Sequence, residues 1–484
     1  MRHLLSLILV AIISTAAVAE DWPMWRKDAG RTGVAESSLP EPLQLQWIRE
    51  LPPVSPAFHS GRLQFDAGHE PIIARGHVII ASSVTDSVTS YDVNTGEENW
   101  VYHTNGPVRL APAVWNTLVC FGSDDGNMYC VDLETGRLNW KLQAVPSDRR
   151  VLGNRRMISM WPVRGGPVID GDRVYFAAGV WPFEGVFVYA VDITSGEVIW
   201  RNDRLGYLYG TQPHNTQAIG GVAPQGYLVV NGDELIVPCS TAYPARLNKN
   251  TGDLIDFKLP SPGRFPGGWF AAIDPAVAKA IRRGTLTFDD VVNQQEHEDR
   301  LHKGNGTSGV SRKIVAGQRT IDFDAPIEGV DGTIHSALAT DQCMLVSTRE
   351  GIIYCFATEE RDTADVKRWK RPNKTLVQNN EAKRQAAAIV SHASSRRGLA
   401  IVVGIEDGSL VKAFLTESNY HVVAFDDDAD RVEQLRDELI NANLYGPRTA
   451  IIYSDLNDLQ LPPYIATVLT TERRSIPVAS PQEL

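Results

Sequence analysis

The stretch Cys130-Val131-Asp132-Leu133-Glu134-Thr135-Gly136-Arg137-Leu138-Asn139-Trp140 decides the fold, because it recurs. Ser90-Tyr91-Asp92-Val93-Asn94-Thr95-Gly96-Glu97-Glu98-Asn99-Trp100 and Ala190-Val191-Asp192-Ile193-Thr194-Ser195-Gly196-Glu197-Val198-Ile199-Trp200 share its form, small-x-Asp-x-x-Thr/Ser-Gly-x-x-x-Trp. A fourth copy, Asn248-Lys249-Asn250-Thr251-Gly252, keeps the turn but has Asp256 where the Trp belongs. The Asp accepts from backbone amides two or three residues on, and the Gly supplies the positive φ that ends such a turn. Each copy is therefore a hairpin, and two further short apolar runs precede it, as at Leu118–Phe121 and Met128–Val131 around Asp125-Gly126. Four short antiparallel strands per repeat make a propeller blade rather than a helical solenoid. Gly332 to Phe356 aligns on the second blade through Glu350-Gly351 and Tyr354-Cys355, so at least five blades are expected.

The motif resembles the tryptophan-docking repeat of pyrroloquinoline-quinone-type (PQQ-like, quinoprotein-type) propellers, in which the Trp stacks on the Gly-containing turn of the neighbouring blade. The opening Asp21-Trp22-Pro23-Met24-Trp25-Arg26, with Asp28 and Arg31-Thr32-Gly33, resembles the start of exported proteins of that class. The resemblance covers about residues 21 to 372. It implies a fold shared by protein-binding scaffolds and by dehydrogenases that use a calcium-bound quinone, an Asp base and often an adjacent-cysteine disulfide. No Cys-Cys dipeptide occurs here, so a PQQ cofactor is disfavoured.

Met1-Arg2-His3, the apolar run Leu4 to Ile13 and Ala17-Val18-Ala19 have the form of a signal peptide cleaved after Ala19. The expected product is exported, periplasmic or secreted, with no integral membrane segment once the leader is gone. A formal charge of −11 repels phosphate backbones and argues against nucleic acid as a partner. Five cysteines without a CxxC or Cys/His cluster exclude a disulfide scaffold and a structural zinc. Cys120 and Cys130 flank the Asp125-Gly126 turn symmetrically, as a cross-strand disulfide or as two buried thiols.

Two insertions carry candidate chemistry. Arg149-Arg150, Arg155-Arg156 and Arg164 interleave with Met157, Met160 and Trp161 between the second and third blades. Loops converge on one propeller face, so Arg155, Arg156, Trp161 and Arg164 are candidates for binding an anion or an acidic protein or small-molecule partner, against the alternative of a solvated loop. From about 260 to 320 the chain reads as helical, with Asp274-Pro275 as a helix start. His297-Glu298-Asp299-Arg300-Leu301-His302 is no zinc motif, because two His five apart do not share a helix face.

After Pro372 the pattern changes to alternating helices and parallel strands: a helical Asn380–Val390, then strands at Leu399–Val403, His421–Phe425, Ala450–Tyr453 and Tyr464–Leu469. Gly404-Ile405-Glu406-Asp407-Gly408 is a Gly-containing turn between strand and helix, and Asp426 ends the next strand. Glycines there let backbone approach a ligand, and the acid accepts from ribose hydroxyls. Residues 385 to 470 resemble the first half of a class I S-adenosylmethionine-dependent methyltransferase, a partial α/β Rossmann-like domain; a dinucleotide-binding unit is the alternative. The resemblance implies Gly404, Gly408, Asp426 and Asp455 as cofactor-binding residues for S-adenosylmethionine. Glu406 stands where that family has its middle glycine, and Val402 where it has an acid.

The expected organisation is a leader (1–19), a quinoprotein-like β-propeller (20–372) and an incomplete methyltransferase-type domain (373–484). The expected function is binding or scaffolding, with methyl transfer and quinone-dependent oxidation as alternatives. Leu43–Ile48 reads as a last blade strand without partners, which predicts an open propeller in an interrupted reading frame; a propeller that closes on itself is the alternative.

Overall fold

The computed structural model describes residues 20–57, 65–211, 216–239, 242–257, 312–360 and 365–474, with residues 280, 283 and 285. The protein is mostly β, a six-blade propeller arrangement with few helices. Blades one and two are four-stranded antiparallel sheets over Ile72–His103 and Ala113–Gln143. Blade three spans Gly165–Asn202 and takes Gly226–Tyr227 as a fifth strand, and blade four spans Val229–Asp256. Blade five is reduced, among the described residues, to the hairpin Lys313–Ala316 and Arg319–Asp322, flanked by Val34–Ala35. Blade six is Ile334–Ala339, Cys343–Thr348 and Ile352–Ala357.

Its fourth strand comes from the other end of the chain. Gln44–Glu50 pairs antiparallel with Ile352–Ala357, and Lys367–Trp369 adds to its far edge. The expectation of an open ring is thus overturned: the partners of Leu43–Ile48 lie about 300 residues downstream rather than missing. The hairpin at 313–322 also corrects the end of the expected helical insertion. The rest of that insertion, including His297 and His302, and the leader lie outside the described residues.

The repeat motif locks each blade to the next. Trp47, Trp100, Trp140 and Trp200 donate Nε1–H to the carbonyls of Val93, Leu133, Ile193 and Lys249, at 2.8–2.9 Å. Each indole lies against the turn glycine of the following blade. A Cβ on Gly96, Gly136, Gly196 or Gly252 would come 2.4–2.8 Å from its ring. The series runs from blade six through blade four and stops where Asp256 replaces the Trp, beside the reduced blade.

The N-terminal segment plugs the ring. Trp22 pairs with Ile73, Pro23 accepts from Val114, Ala29 from Val230 and Gly33 from Val315. Arg31 is fully buried and donates to the carbonyls of Leu228, Trp25 and Pro167. One segment that reaches the first strands of five blades must lie where they converge. Burial with only carbonyl partners lowers the Arg31 pKa to about 10, despite help from Tyr227 and Asp28.

After residue 372 come the helices Asn380–His392, Ser409–Glu417 and Ala429–Asn441, and one parallel sheet. Its order is Thr449–Tyr453, Asn419–Asp426, Arg397–Val403, Val468–Thr470. The last strand is shorter than expected and leaves Tyr464 fully exposed. No helix among the described residues is long and apolar enough to cross a membrane.

Candidate functional site

Two polar constellations stand out. The first lies where blades one to three meet. Asp124, in the turn of blade two, receives both ends of the Arg164 guanidinium (2.9 and 2.8 Å) and Nε of Arg109 (2.7 Å). Arg109 also binds Asp66 at 2.8 Å, and Asp66 accepts from the Ala57 amide. Asp66, Asp124 and Arg164 are each 1% exposed, so two acids and two guanidiniums form a neutral buried quartet. Burial opposes ionisation of Asp124, but the Arg164 and Arg109 charges outweigh it and hold its pKa below the ordinary value.

The arginine insertion is consumed inward. Arg150–Gly153 and Arg156–Ser159 form a hairpin whose Met157 packs with Leu399, Ile401, Val423 and Phe425 of the parallel sheet. Arg156 is buried, binds Asp86 and the Ser83 carbonyl, and lies over the Tyr445 ring. Tyr445 donates to the same Asp86 at 3.0 Å. Trp161 is buried and donates to the Glu184 carbonyl; Arg155 alone of the four candidates is exposed. Arg155, Arg156, Trp161 and Arg164 are therefore not gathered on one open face. What sequence reading missed is that this insertion docks the C-terminal unit. The interface continues at Asn105, which exchanges hydrogen bonds with the Tyr453 backbone (2.8 and 3.0 Å) and accepts from Arg436. His103 and Glu433 add a hydrogen bond at 2.8 Å.

The second constellation is the Gly404–Gly408 turn at the C-terminal ends of the parallel strands. Gly404 has φ +84° and donates to the Phe425 carbonyl, and Gly408, φ +73°, starts the Ser409–Glu417 helix. Asp426 is fully buried beside them: one oxygen accepts from the Ile405 amide and Arg473, the other from the Asp428 amide and Arg431. The structure thus brings Gly404, Gly408 and Asp426 together. Asp455 stands after the neighbouring strand and caps its own short turn at Asn457, with an exposed side chain. Glu406 is exposed as well, so its carboxylate does not crowd the loop. The group that fills the loop is Glu472, a residue no local signal marked: its carboxylate accepts from the amides of Glu406, Asp407, Gly408, Leu410 and Val411 at 2.8–3.3 Å.

Residues 23–202 match the family described as outer membrane protein assembly factor BamB. The match covers blades one to three, under half of the chain. Over 143 residues the chain is 30% identical to the dehydrogenase subunit of a quinone alcohol dehydrogenase from Gluconobacter oxydans and 31% identical to that of Komagataeibacter europaeus. That region is 27% of this chain, and it spans under a fifth of either relative, 18% and 19%. Among solved structures, a quinohemoprotein alcohol dehydrogenase from Pseudomonas putida aligns at TM-score 0.36 and 15% identity, over 52% of this chain and 41% of that one. BamB from Moraxella catarrhalis aligns at 0.30 and 14%, over 59% and 71%.

Neither implied cofactor fits the residues as they are held. In the propeller, Asp66 and Asp124 are tied to guanidiniums rather than open to a calcium-bound quinone, and Cys120 and Cys130, opposite each other in register, are free buried thiols. Among the described residues no group of three His, Cys, Asp or Glu side chains has metal-holding geometry. In the C-terminal unit, the loop amides belong to Glu472 and both oxygens of Asp426 to backbone and arginine donors, which leaves no acceptor for a ribose and no amides for a ligand anion.

Proposed function

We propose that the protein is an exported scaffold whose PQQ-like propeller binds a protein partner through an apolar patch beside blade three. The observation that carries this is a group of large side chains left in water: Phe183, Tyr207, Tyr209 and Ile219 are 50–73% exposed, and Trp181 adjoins them. They form one surface. Tyr207 donates to the Phe183 carbonyl at 2.6 Å, and Tyr209 stands opposite Ile219 in the hairpin of Leu208–Thr211 and Gln217–Gly220. Aromatic side chains held on a rigid scaffold supply most of the energy of protein interfaces, and a contiguous apolar patch in water marks such a site. The buried polar constellations offer no comparable open chemistry, which favours binding over methyl transfer or quinone-dependent oxidation.

Cross-linking through a photoreactive residue at position 209 in the exported fraction, followed by mass spectrometry, tests this. A defined protein should be trapped by the wild-type background and lost with Phe183→Ser and Ile219→Ser together. A partner trapped equally well by both, or none trapped at all, would reject the patch.

A further inference from the structure

The Ile405–Val411 turn has five backbone N–H groups converging on the two oxygens of one carboxylate, that of Glu472. A helix N-terminus with free amides favours negative charge, and hydrogen bonds to an ionised acceptor are among the strong ones. Independently of Glu472, the next residue fills the neighbouring position. Arg473 reaches Asp426 at 2.8 Å and Asp427 at 2.6 Å, and its Cδ occupies space that only a glycine at 404 leaves, since a Cβ there would come 2.9 Å from it. The segment is also tied by main chain: the Glu472 amide donates to the Gly404 carbonyl at 3.1 Å, as Thr471 Oγ1 does at 3.3 Å. Anion, donor and main-chain contacts thus all come from Thr471–Arg473.

We propose that the Ile405–Val411 junction is an anion receptor whose occupant is the chain's own Glu472, with Thr471–Arg473 bound as a strap in the place of a ligand carrying a carboxylate or phosphate. This is independent of the scaffold reading. It explains why a loop with the chemistry of a cofactor site presents none of its donors to solvent. Removing the Glu472 carboxylate leaves a receptor with unsatisfied amides, which a small free anion restores.

Hydrogen exchange of the full chain tests it, read on the peptide that covers Ile405–Val411, with inorganic phosphate as the probe. Glu472→Ala should accelerate exchange there by at least about tenfold, the loss of one charge-assisted contact of some 1.4 kcal/mol, and phosphate should reverse the effect in the variant while leaving wild type unchanged. Unaltered exchange in Glu472→Ala overturns the proposal, as does a phosphate effect equal in both proteins. Should Glu472→Ala not fold, Glu472→Gln keeps the shape without the charge. Accelerated exchange in it supports the receptor, and wild-type protection overturns it.

Discussion

Arg164 and Asp124 show what the arginines of the insertion between blades two and three do. A guanidinium and a carboxylate buried together stabilise only as a pair, and removing one strands the other charge out of water. Arg164→Met should therefore cost about 3–5 kcal/mol in urea denaturation, whereas Arg155→Met, at an exposed position, should change stability by no more than about 0.5 kcal/mol. The pH dependence follows from the same pair. Because the folded pKa of Asp124 lies below its unfolded value near 3.8, its stabilising contribution is present above that value and lost as pH falls through the folded pKa. His421 behaves likewise at higher pH. Burial first, then the charges of Arg156 and Arg448, lowers its pKa from 6.5 to about 4. The folded state keeps the ring neutral, so stability is full above pH 6.5 and falls between 6.5 and 4, by about 3 kcal/mol. Melting curves across that range should be flatter for His421→Phe than for wild type; equal slopes would exclude His421 as the group. At the Gly404 turn, calorimetry should detect no S-adenosylmethionine binding, and Glu406→Gly should not create it, because Glu472 rather than Glu406 fills the loop. Micromolar binding by either protein would contradict that account.

The element that repeats is the Trp-to-turn junction, and two glycines with nearly the same backbone isolate its contribution. Gly136 has φ +68° and a Cβ there would sit 2.6 Å from the Trp100 ring; Gly171 has φ +64° and open space around it. Gly171→Ala should cost only the left-handed backbone penalty of about 1–2 kcal/mol. Gly136→Ala should lose a further 1–3 kcal/mol or so, because the indole must move. Equal losses in chemical denaturation would show that the docking is ornamental. The turns were legible in the sequence because what makes each one sits within eleven residues, the Asp that holds it, the Gly that allows it and the Trp that leaves it, whereas the docking of each Trp on the next turn, 33 to 53 residues on, was implied only by the resemblance. Trp47 was legible as a strand end, but its place as the indole that docks on blade one was not, since it stands before the first full copy of the motif. The helices and strands between residues 380 and 453 were read nearly to their ends for the same local reason, an apolar period that switches between strand and helix, while the last strand was read four residues too early.

For the whole molecule, two long-range contacts matter: the closing strand Gln44–Glu50 in blade six, and the interface that joins the parallel sheet to blades one and two. The second can be weakened by Asn105→Ala, which removes the paired bonds to Tyr453, combined with Met157→Ala, which empties an apolar contact against the parallel sheet. Each hydrogen bond contributes about 1 kcal/mol and the Met truncation about 2–5 kcal/mol. Calorimetry of the double variant should then resolve the C-terminal unit as a separate, lower transition, where a single unsplit peak would show that the two still unfold together and that these contacts are not what couples them. By itself the sequence determined five of the six blades, the turns with their tryptophans at 100, 140 and 200, and the alternating order of the C-terminal unit, because each is a local pattern of propensity and period. Only the tertiary structure decided that the ring closes, that Arg156 and Arg164 are spent on Asp86 and Asp124, and that Glu472 fills the glycine turn. Those pairings join residues from 40 to more than 300 positions apart. A guanidinium or a carboxylate reads the same in a sequence whether its partner is solvent, a ligand or its own chain; burial and distance, which exist only after folding, choose among them.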